Sequence, residues 1–278
     1  MTNRVMLQKL LTVDLSEAIF QHGIDWVGGI VIEAGGTARF GARDLLQAYG
    51  FDADPPYVDV VRFPLPVCAP LKSTQNLIDP QERPWPTYPN GFLRPVGDAI
   101  IPAYELELTR WPVRSEWWRI KPDGSQDIIS HYRGVALGWQ GAREWRPAST
   151  MYGLRARWQG ADYAADIIDE QVELVTFQDP GTPEWTSPRP MTWSRRVPRP
   201  ECQLHEMMVT ATWRDVPVRV ADVRNWVARV RMIGSDPSQA RIIDASMVDQ
   251  GVFENTNVPA KELVSMQAVS NELTQTEG

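Results

Sequence analysis

A short pattern centred on a tryptophan occurs twice in the second half of the chain. Residues 156–160 surround Trp158, and 55 residues later residues 211–215 surround Trp213 in a similar way. A second pair of matching segments, 197–202 and 258–263, follows in the same order; both begin with Val-Pro and carry Glu at the fifth position. Two separated anchors in the same order indicate an internal duplication.

The duplicated unit has the size of a small β module. Between the two anchors Val172 matches Val227, each in a short apolar run, and the second copy holds a few inserted residues. About 55 residues is the length of one small sheet or barrel of about five short strands, which gains stability by packing on a neighbour. The sequence therefore predicts β modules at 151–205 and 206–265, followed by a tail at 266–278.

Each copy combines a tryptophan followed closely by Gly or Asp, an apolar strand and a Val-Pro-x-x-Glu ending. Over residues 152–265 this pattern resembles tandem SH3-like modules of uncharacterised actinobacterial proteins, some of which accompany secreted toxins. The resemblance implies tandem SH3-like, partly open β-barrels and supplies no catalytic residue. The second copy departs from the pattern at Asp215, where glycine is usual, so we expect a different turn there.

The first 51 residues have a mixed pattern. Asp14 and Glu17 are spaced as a capping box, and Gly23 suits a helix end, which predicts a helix from 14 to 23. A strand is predicted at 24–32, with a bulge or a close backbone approach at its glycine pair, and a second helix at 42–49. We therefore expect a small α/β portion at 1–51 in a fold that is mainly β.

The middle of the chain changes character twice. Ten of the 23 prolines lie between residues 52 and 95, which predicts a connecting segment at 52–102 with one short strand at 57–63 and a surface loop at 84–91. Short strands dominate from residue 103 onward, including a hairpin turning at Pro122-Asp123-Gly124. Residues 103–150 are therefore predicted as a further β-rich unit, and helix should be scarce from there to the end.

The net charge and the hydropathy of the chain limit the classes of partner that it is expected to bind. The net charge of -7 argues against nucleic acid, because phosphate binding needs clustered Lys and Arg, and favours a basic partner instead. No apolar run reaches the roughly 18 residues of a membrane-spanning helix, and no export signal is recognisable at the N-terminus. We expect a cytoplasmic protein that binds neither nucleic acid nor membrane.

The residues that carry common chemistries are few. Cys68 and Cys202 stand alone and are expected to be buried thiols, and His22, His131 and His205 each lack a second ligand at metal-binding spacing. We therefore expect no metal and no cofactor. One acidic group offers paired carboxylates for acid–base chemistry, although a solvated turn is the simpler interpretation. Its members are Asp162, Asp166, Asp169 and Glu170.

Two functions are compatible with these features. The first is an intracellular protein-binding module, of the immunity type that neutralises a cognate toxin enzyme. Tryptophans often form the hot spots of protein interfaces, although core packing is the plainer role for each of them. The partner-binding candidates are Trp139, Trp145, Trp158, Trp185, Trp193 and Trp213.

The second function is an enzyme of unknown reaction. Its site would lie between the N-terminal portion and the β modules, since junctions of this kind commonly form pockets, with His22 and Asp25, or Glu33 and Arg39, as the first residues to examine. A structural module of a larger assembly is a third interpretation. A tightly bound basic protein would favour the first function, and a deep polar pocket with perturbed titrating groups would favour the second.

Overall fold

The chain forms two antiparallel sheets. The computed structural model describes residues 5–67, 71–72, 91–234 and 236–273. The first sheet contains the strands β1 (Met6–Leu11), β2 (Trp26–Glu33), β3 (Val58–Pro64), β4 (Leu71–Lys72), β5 (Gly91–Val96), β6 (Ala99–Arg110), β7 (Glu116–Ile120) and β8 (Gln126–His131). Their order is β4-β6-β2-β1-β3-β7-β8, with β5 also paired to β6. The segments 1–51, 52–102 and 103–150 thus share one sheet.

Two helices accompany this sheet. The helices predicted near the N-terminus are confirmed as α1 (Val13–His22) and α2 (Ala42–Ala48), and Gly23 ends α1 in the left-handed conformation. The N-cap of α1 is Thr12 and not Asp14: the Leu15 amide donates to the Thr12 hydroxyl at 3.2 Å. Because β1 ends one residue earlier, the chain passes from strand to helix without a loop.

The bulge predicted at the glycine pair of β2 is confirmed, although its extra residue belongs to the neighbouring strand. Val27 pairs with Thr109 and Gly29 with Leu106, so β6 has one residue more than β2 between these pairs. A Cβ atom at Gly28 would lie 2.7 Å from Nη1 of Arg231 in the second sheet. Glycine at this position therefore allows the two sheets to approach closely.

Three further predictions, for a strand, a hairpin and a buried cysteine, can be compared with the structure. β3 confirms the strand predicted at 57–63, and β7 with β8 confirms the hairpin. Cys202 is buried, as expected. Cys68 and nearly all of the loop predicted at 84–91 lie outside the described residues.

The second sheet is built from residues 152–272. Its strands are β9 (Tyr152–Trp158), β10 (Ala161–Ile168), β11 (Gln171–Thr176), β12 (Thr186–Arg189), β13 (Thr192–Pro198), β14 (Gln203–Trp213), β15 (Val216–Arg224), β16 (Val227–Met232), β17 (Ser246–Asp249), β18 (Val252–Pro259) and β19 (Val264–Glu272). Within the described part of this region the one α-helix is the short α3 (Pro237–Ile242). Helix is therefore scarce after residue 103, as predicted.

The strand order of the second sheet occurs twice. The order β12-β13-β11-β10-β9-β14 in one part of the sheet corresponds, strand by strand, to the order β17-β18-β16-β15-β14-β19 in the other part. We call β9–β13 the first β unit and β14–β18 the second β unit; β14 pairs with β9 as β19 pairs with β14. A 3₁₀ turn follows each unit, at Arg199–Glu201 and Ala260–Glu262. The matching sequence segments thus fall on corresponding strands.

The tryptophans of the two units lie in equivalent places. The Trp158 indole donates to Glu201 Oε2 at 3.4 Å, and the Trp213 indole donates to Glu262 Oε2 at 3.2 Å. The turns that follow them also agree: Gly160 has a φ of +80° and Asp215 has a φ of +63°. The expectation of a different turn at Asp215 is therefore wrong, because aspartate tolerates the left-handed region better than most residues.

Strand register corrects one sequence match. Ile168 pairs with Gln171 across the β10–β11 turn of the first β unit. Arg224 pairs with Val227 across the β15–β16 turn, which is the corresponding turn of the second β unit. Counting from these turns, Val172 corresponds to Ala228 and not to Val227. The shift arises from a bulge in β15 between Val220 and Asp222, which adds one residue to the second copy.

Neither sheet closes into a barrel within the described residues. The prediction of a mainly β fold with helices near the N-terminus is confirmed, whereas the partly open SH3-like barrels are not confirmed. The two sheets instead pack against each other at a largely aromatic core of the first sheet, which Tyr152 and Ala221 of the second sheet join. Trp139 lies at its centre, with ring centroids 5.7 Å from Trp111, 6.4 Å from Trp117 and 5.4 Å from Tyr132.

Candidate active site between the two sheets

A cleft opens where the end of β6 meets the first β unit and β14. Its volume is about 560 Å³. The polar side chains Thr109, Arg110, Asp166 and Glu206 line it, and all four are buried. Most of the remaining lining is apolar, including residues 64–67, Pro112 and Val113. The cleft therefore combines a mostly apolar lining with buried charges.

Arg110 supplies the positive charge. Its side chain is 4% exposed, and its Nη2 donates to the Leu154 carbonyl of β9. The Nε and Nη1 atoms have no hydrogen-bond partner among the described residues. Glycine at position 153 permits this contact, since a Cβ there would lie 2.6 Å from Nε. Buried N–H groups without a partner are rare and are typical of places where water or a ligand binds.

Glu206 on β14 is the first of two carboxyls beside this guanidinium. Its side chain is almost fully buried, and the Thr109 hydroxyl donates a hydrogen bond to its Oε1. Burial raises the pKa of Glu206 to about 7, against smaller opposing effects of Thr109 and Arg110. Near neutral pH this side chain exists in both protonation states.

Asp166 on β10 is the second carboxyl. Its Oδ2 accepts a hydrogen bond from the Val135 amide at 2.6 Å. Burial raises the pKa of Asp166 to about 6, although the Val135 amide and the charge of Arg110 oppose the shift. Asp166 therefore loses its proton at lower pH than Glu206 does.

Asp25, which directly precedes β2, is a third carboxyl whose pKa is affected by Arg110. The Tyr152 hydroxyl donates to Asp25 Oδ1 at 3.0 Å. Burial raises the pKa of Asp25 above its usual value, and the charge of Arg110 is the largest opposing effect. The charge of Arg110 thus lowers the pKa of three carboxyls, from β10, β14 and the segment before β2, against the larger effect of burial.

The second β unit shows that the fold does not require this arrangement. Glu206 of β14 lies opposite Leu154 of β9, and its counterpart on β19, Ala268, lies opposite Val209 of β14. Asp166 corresponds by register to Asp222, which forms an ordinary ion pair with Arg224 at 2.6 Å. A carboxyl at this position therefore occurs where β14 pairs with β9, beside the cleft, and not where β19 pairs with β14.

This geometry fits proton transfer. Between the pKa values of the two carboxyls, Asp166 is ionised and Glu206 is protonated, so one can accept a proton and the other can donate one. Two titrating groups set apart by their surroundings are the usual pattern of an acid–base pair. Arg110 beside them can stabilise negative charge on a bound molecule.

The acidic group predicted from sequence separates in the structure. Only Asp166 is buried in the cleft; Asp169 lies at its rim and pairs with Arg114 at 2.9 Å. Glu170 is exposed in a turn. Asp162 pairs with Arg155 and lies 3.4 Å from Nε2 of the buried His205. One of the four residues thus belongs to the candidate site.

The residues suggested for an enzyme site are also distributed. His22 is exposed and its Nδ1 lies 3.4 Å from Glu144 Oε2, whereas Asp25 bonds to Tyr152. Glu33 is the last residue of β2 and is half-buried, and Arg39 is exposed on the segment that follows. Of these residues, Asp25 is the one that adjoins the cleft charges. Arg110 and Glu206 were missed, because strand pairing far along the sequence brings them together.

The six tryptophans proposed as partner-binding residues fall into two groups. Trp139, Trp158, Trp185 and Trp213 are buried, and Trp145 and Trp193 are half-buried. Trp158 and Trp185 belong to the core of the first β unit, and Trp213 to that of the second. The buried rings thus pack cores, while Trp145 lies against Phe177 with the Arg189 guanidinium 4.6 Å from its ring. Partner binding by any of the six stays a prediction.

Trp226 is a tryptophan that sequence reasoning passed over. It lies at the tip of the β15–β16 hairpin, 85% exposed, with a φ of +65°. Bulky residues rarely adopt this conformation, and glycine is preferred at such a turn position. Its counterpart in the first unit is Glu170: the Ala260 amide donates to the Trp226 carbonyl as the Arg199 amide does to that of Glu170. The turn itself does not need a tryptophan.

Comparison of the chain with protein-family models, with curated proteins and with solved structures finds no match. Among the described residues, no three His, Cys, Asp or Glu side chains are grouped so that they could hold a metal ion. The helices in the described part of the chain are all too short or too polar to cross a membrane.

Proposed function

We propose that the cleft between the two sheets binds a small polar molecule and that Glu206 and Asp166 catalyse proton transfer to and from it. The observation that carries this proposal is the buried Arg110, flanked by two carboxyls with raised pKa values at an open cleft. Buried titrating groups with perturbed pKa values in a cleft are the feature that favours an enzyme over a binding module.

The roles follow from the order of the two pKa values. Asp166 acts as the general base and Glu206 as the general acid, since Asp166 loses its proton first. Arg110 stabilises negative charge that develops on the substrate. The apolar lining at residues 64–67 favours a substrate with an apolar part.

Ligand-observed NMR with a library of small carboxylic acids, amides and sugars tests binding in the cleft. Val113→Trp places a large ring in the cleft wall, and Met247→Trp is a matched control on the exposed β17. We expect some library members to bind the native chain and the Met247 variant but not the Val113 variant. Equal binding by both variants, or no binding to the native chain, would contradict the proposal.

A second candidate function is protein binding through the second β unit, and Trp226 is the observation that favours it. An 85% exposed tryptophan in a backbone conformation that disfavours it is typical of an interface anchor. In this proposal the partner is a protein, with a toxin enzyme as the immunity interpretation. The relation to SH3-like modules belongs to the same proposal and rests on the sequence pattern around Trp158 and Trp213.

Affinity purification from the producing cell, quantified by mass spectrometry, tests this second function. Trp226→Ala should lose a partner that the native chain recovers. Met191→Ala, also at an exposed turn of a β unit, should retain it. Equal recovery by both variants would exclude Trp226 as the anchor.

A further inference from the structure

β19 is an exposed edge strand without the usual protection. Among the described residues it pairs only with β14, and eight of its nine residues are exposed. Residues 264–271 contain no charge, proline or glycine. Edge strands that face water usually carry charges, proline or repeated bulges, which prevent pairing with another strand. β19 has one register shift, near Ser265, and is regular from Gln267 to Glu272.

The repeated strand order shows what such an edge can hold. β14 closes the first β unit by pairing with β9, and its opposite edge holds β19. β19 closes the second β unit in the same way. Its free edge therefore corresponds to the edge of β14 that accepts a strand, and the chain offers no further strand for it among the described residues.

We infer that β19 pairs antiparallel with β19 of a second copy of the chain, across a two-fold axis near Ala268. A two-fold axis perpendicular to the sheet makes two identical edge strands antiparallel and closes the assembly as a dimer. Antiparallel strands exchange hydrogen bonds between residues opposite one another. The result is one continuous sheet formed by the second β units of both copies.

The lack of charge on β19 allows a second copy of this acidic chain to be the occupant. Each chain has a net charge of -7, so two copies repel each other wherever acidic surfaces meet. The single charged residue of β19 is Glu272, at its end. In the register centred on Ala268, Glu272 lies opposite Val264 of the other strand, which separates the two Glu272 residues by about 27 Å along the strands. This distance exceeds the range of unscreened repulsion in physiological salt.

Sedimentation analysis of the full chain and of charge variants at Ala268 tests this arrangement. The native chain should sediment as a dimer. Ala268→Lys places two lysines opposite each other at the axis and should weaken dimerisation at least about tenfold. Met191→Lys, at the exposed β12–β13 turn, is the control and should leave the dimer unchanged.

A mixing experiment distinguishes the two-fold register from other contacts. Ala268→Glu alone should also be monomeric, whereas an equimolar mixture of the Lys and Glu variants should form a heterodimer through opposite charges. A native chain that stays monomeric at all concentrations, an unchanged dimer of Ala268→Lys, or failure of the mixture to restore dimers would overturn the inference.

Discussion

Thr109 on β6 donates its hydroxyl hydrogen bond to Glu206 on β14, and this contact joins the two sheets beside the cleft. Neither partner belongs to a recognisable sequence motif. The bond orients a carboxyl that burial makes easy to protonate, in contact with a cleft that a small molecule can enter. The same residues thus connect the packing of the sheets to the proposed chemistry.

Replacing Glu206 by Gln should change stability in a pH-dependent way. Because the folded-state pKa of Glu206 is raised, its contribution to stability is complete below about pH 4 and is lost as the pH rises through about 7. Glu206→Gln should therefore increase the free energy of unfolding at pH 8, by up to about 3 kcal/mol, and change it little at pH 4. Urea unfolding at both pH values measures this difference.

Glu170→Gln is the control for that experiment, because Glu170 is exposed in a turn. Its effect on the free energy of unfolding should be within about 0.5 kcal/mol at both pH values. A Glu206→Gln effect that does not depend on pH would show that Glu206 is not buried in its charged form above neutrality.

For any substrate that the cleft turns over, kcat/KM should depend on pH as a bell with limbs near pH 6 and near pH 7. The acidic limb reports ionisation of the base Asp166, and the alkaline limb reports loss of the proton of Glu206. Asp166→Asn should remove the acidic limb from the residual activity, and Glu206→Gln the alkaline limb. Persistence of both limbs in both variants would assign catalysis to other groups.

Trp226→Gly should stabilise the fold. The φ of +65° disfavours tryptophan and suits glycine, and the exposed ring contributes little packing. We expect a gain of about 1 kcal/mol in thermal or urea unfolding. Glu170→Gly, at the corresponding turn position where φ is not positive, should give no gain. A destabilised Trp226→Gly would mean that the ring packs on the fold and is not kept for binding.

Trp213→Ala should lower the stability of the fold, because the ring packs in a core. Trp213 is buried in the core of the second β unit, so the loss should be about 3–5 kcal/mol of unfolding free energy. Chemical unfolding measured beside the half-buried Trp193→Ala gives the comparison, with a smaller loss expected there. If Trp213→Ala kept native stability but no longer bound a protein partner, Trp213 would be a partner-binding residue and not a core residue.

The sequence predicts the second half of the chain best where a local pattern repeats. Trp158 and Trp213 lie on corresponding strands, and each is followed by a tight turn and then by a Val-Pro-x-x-Glu segment. The match of Val172 with Val227 fails by one residue, since a bulge at Ala221 has no local sequence signature. Thr12 could have been recognised as the N-cap, because threonine directly follows the apolar run of β1.

The candidate site was beyond sequence reasoning for a physical reason. Thr109 and Glu206 are 97 residues apart and meet only when the two sheets pack. Asp166 was recognised as a possible acid–base residue, but burial distinguishes it from Asp162 and Asp169. That burial depends on a contact distant in sequence, with the Val135 amide. Trp226 did carry a signal: it follows Asn225 at a turn where the first copy has Asp169 and Glu170.

The most direct test of the acid–base site is the titration of its two carboxyls, followed by carbon-detected NMR of the side-chain carboxyl carbons. The Glu206→Gln and Asp166→Asn variants assign the two signals. We expect midpoints near pH 7 for Glu206 and near pH 6 for Asp166. Midpoints near the ordinary value of about 4 for both residues would contradict the account, because neither group could then exchange a proton near neutral pH.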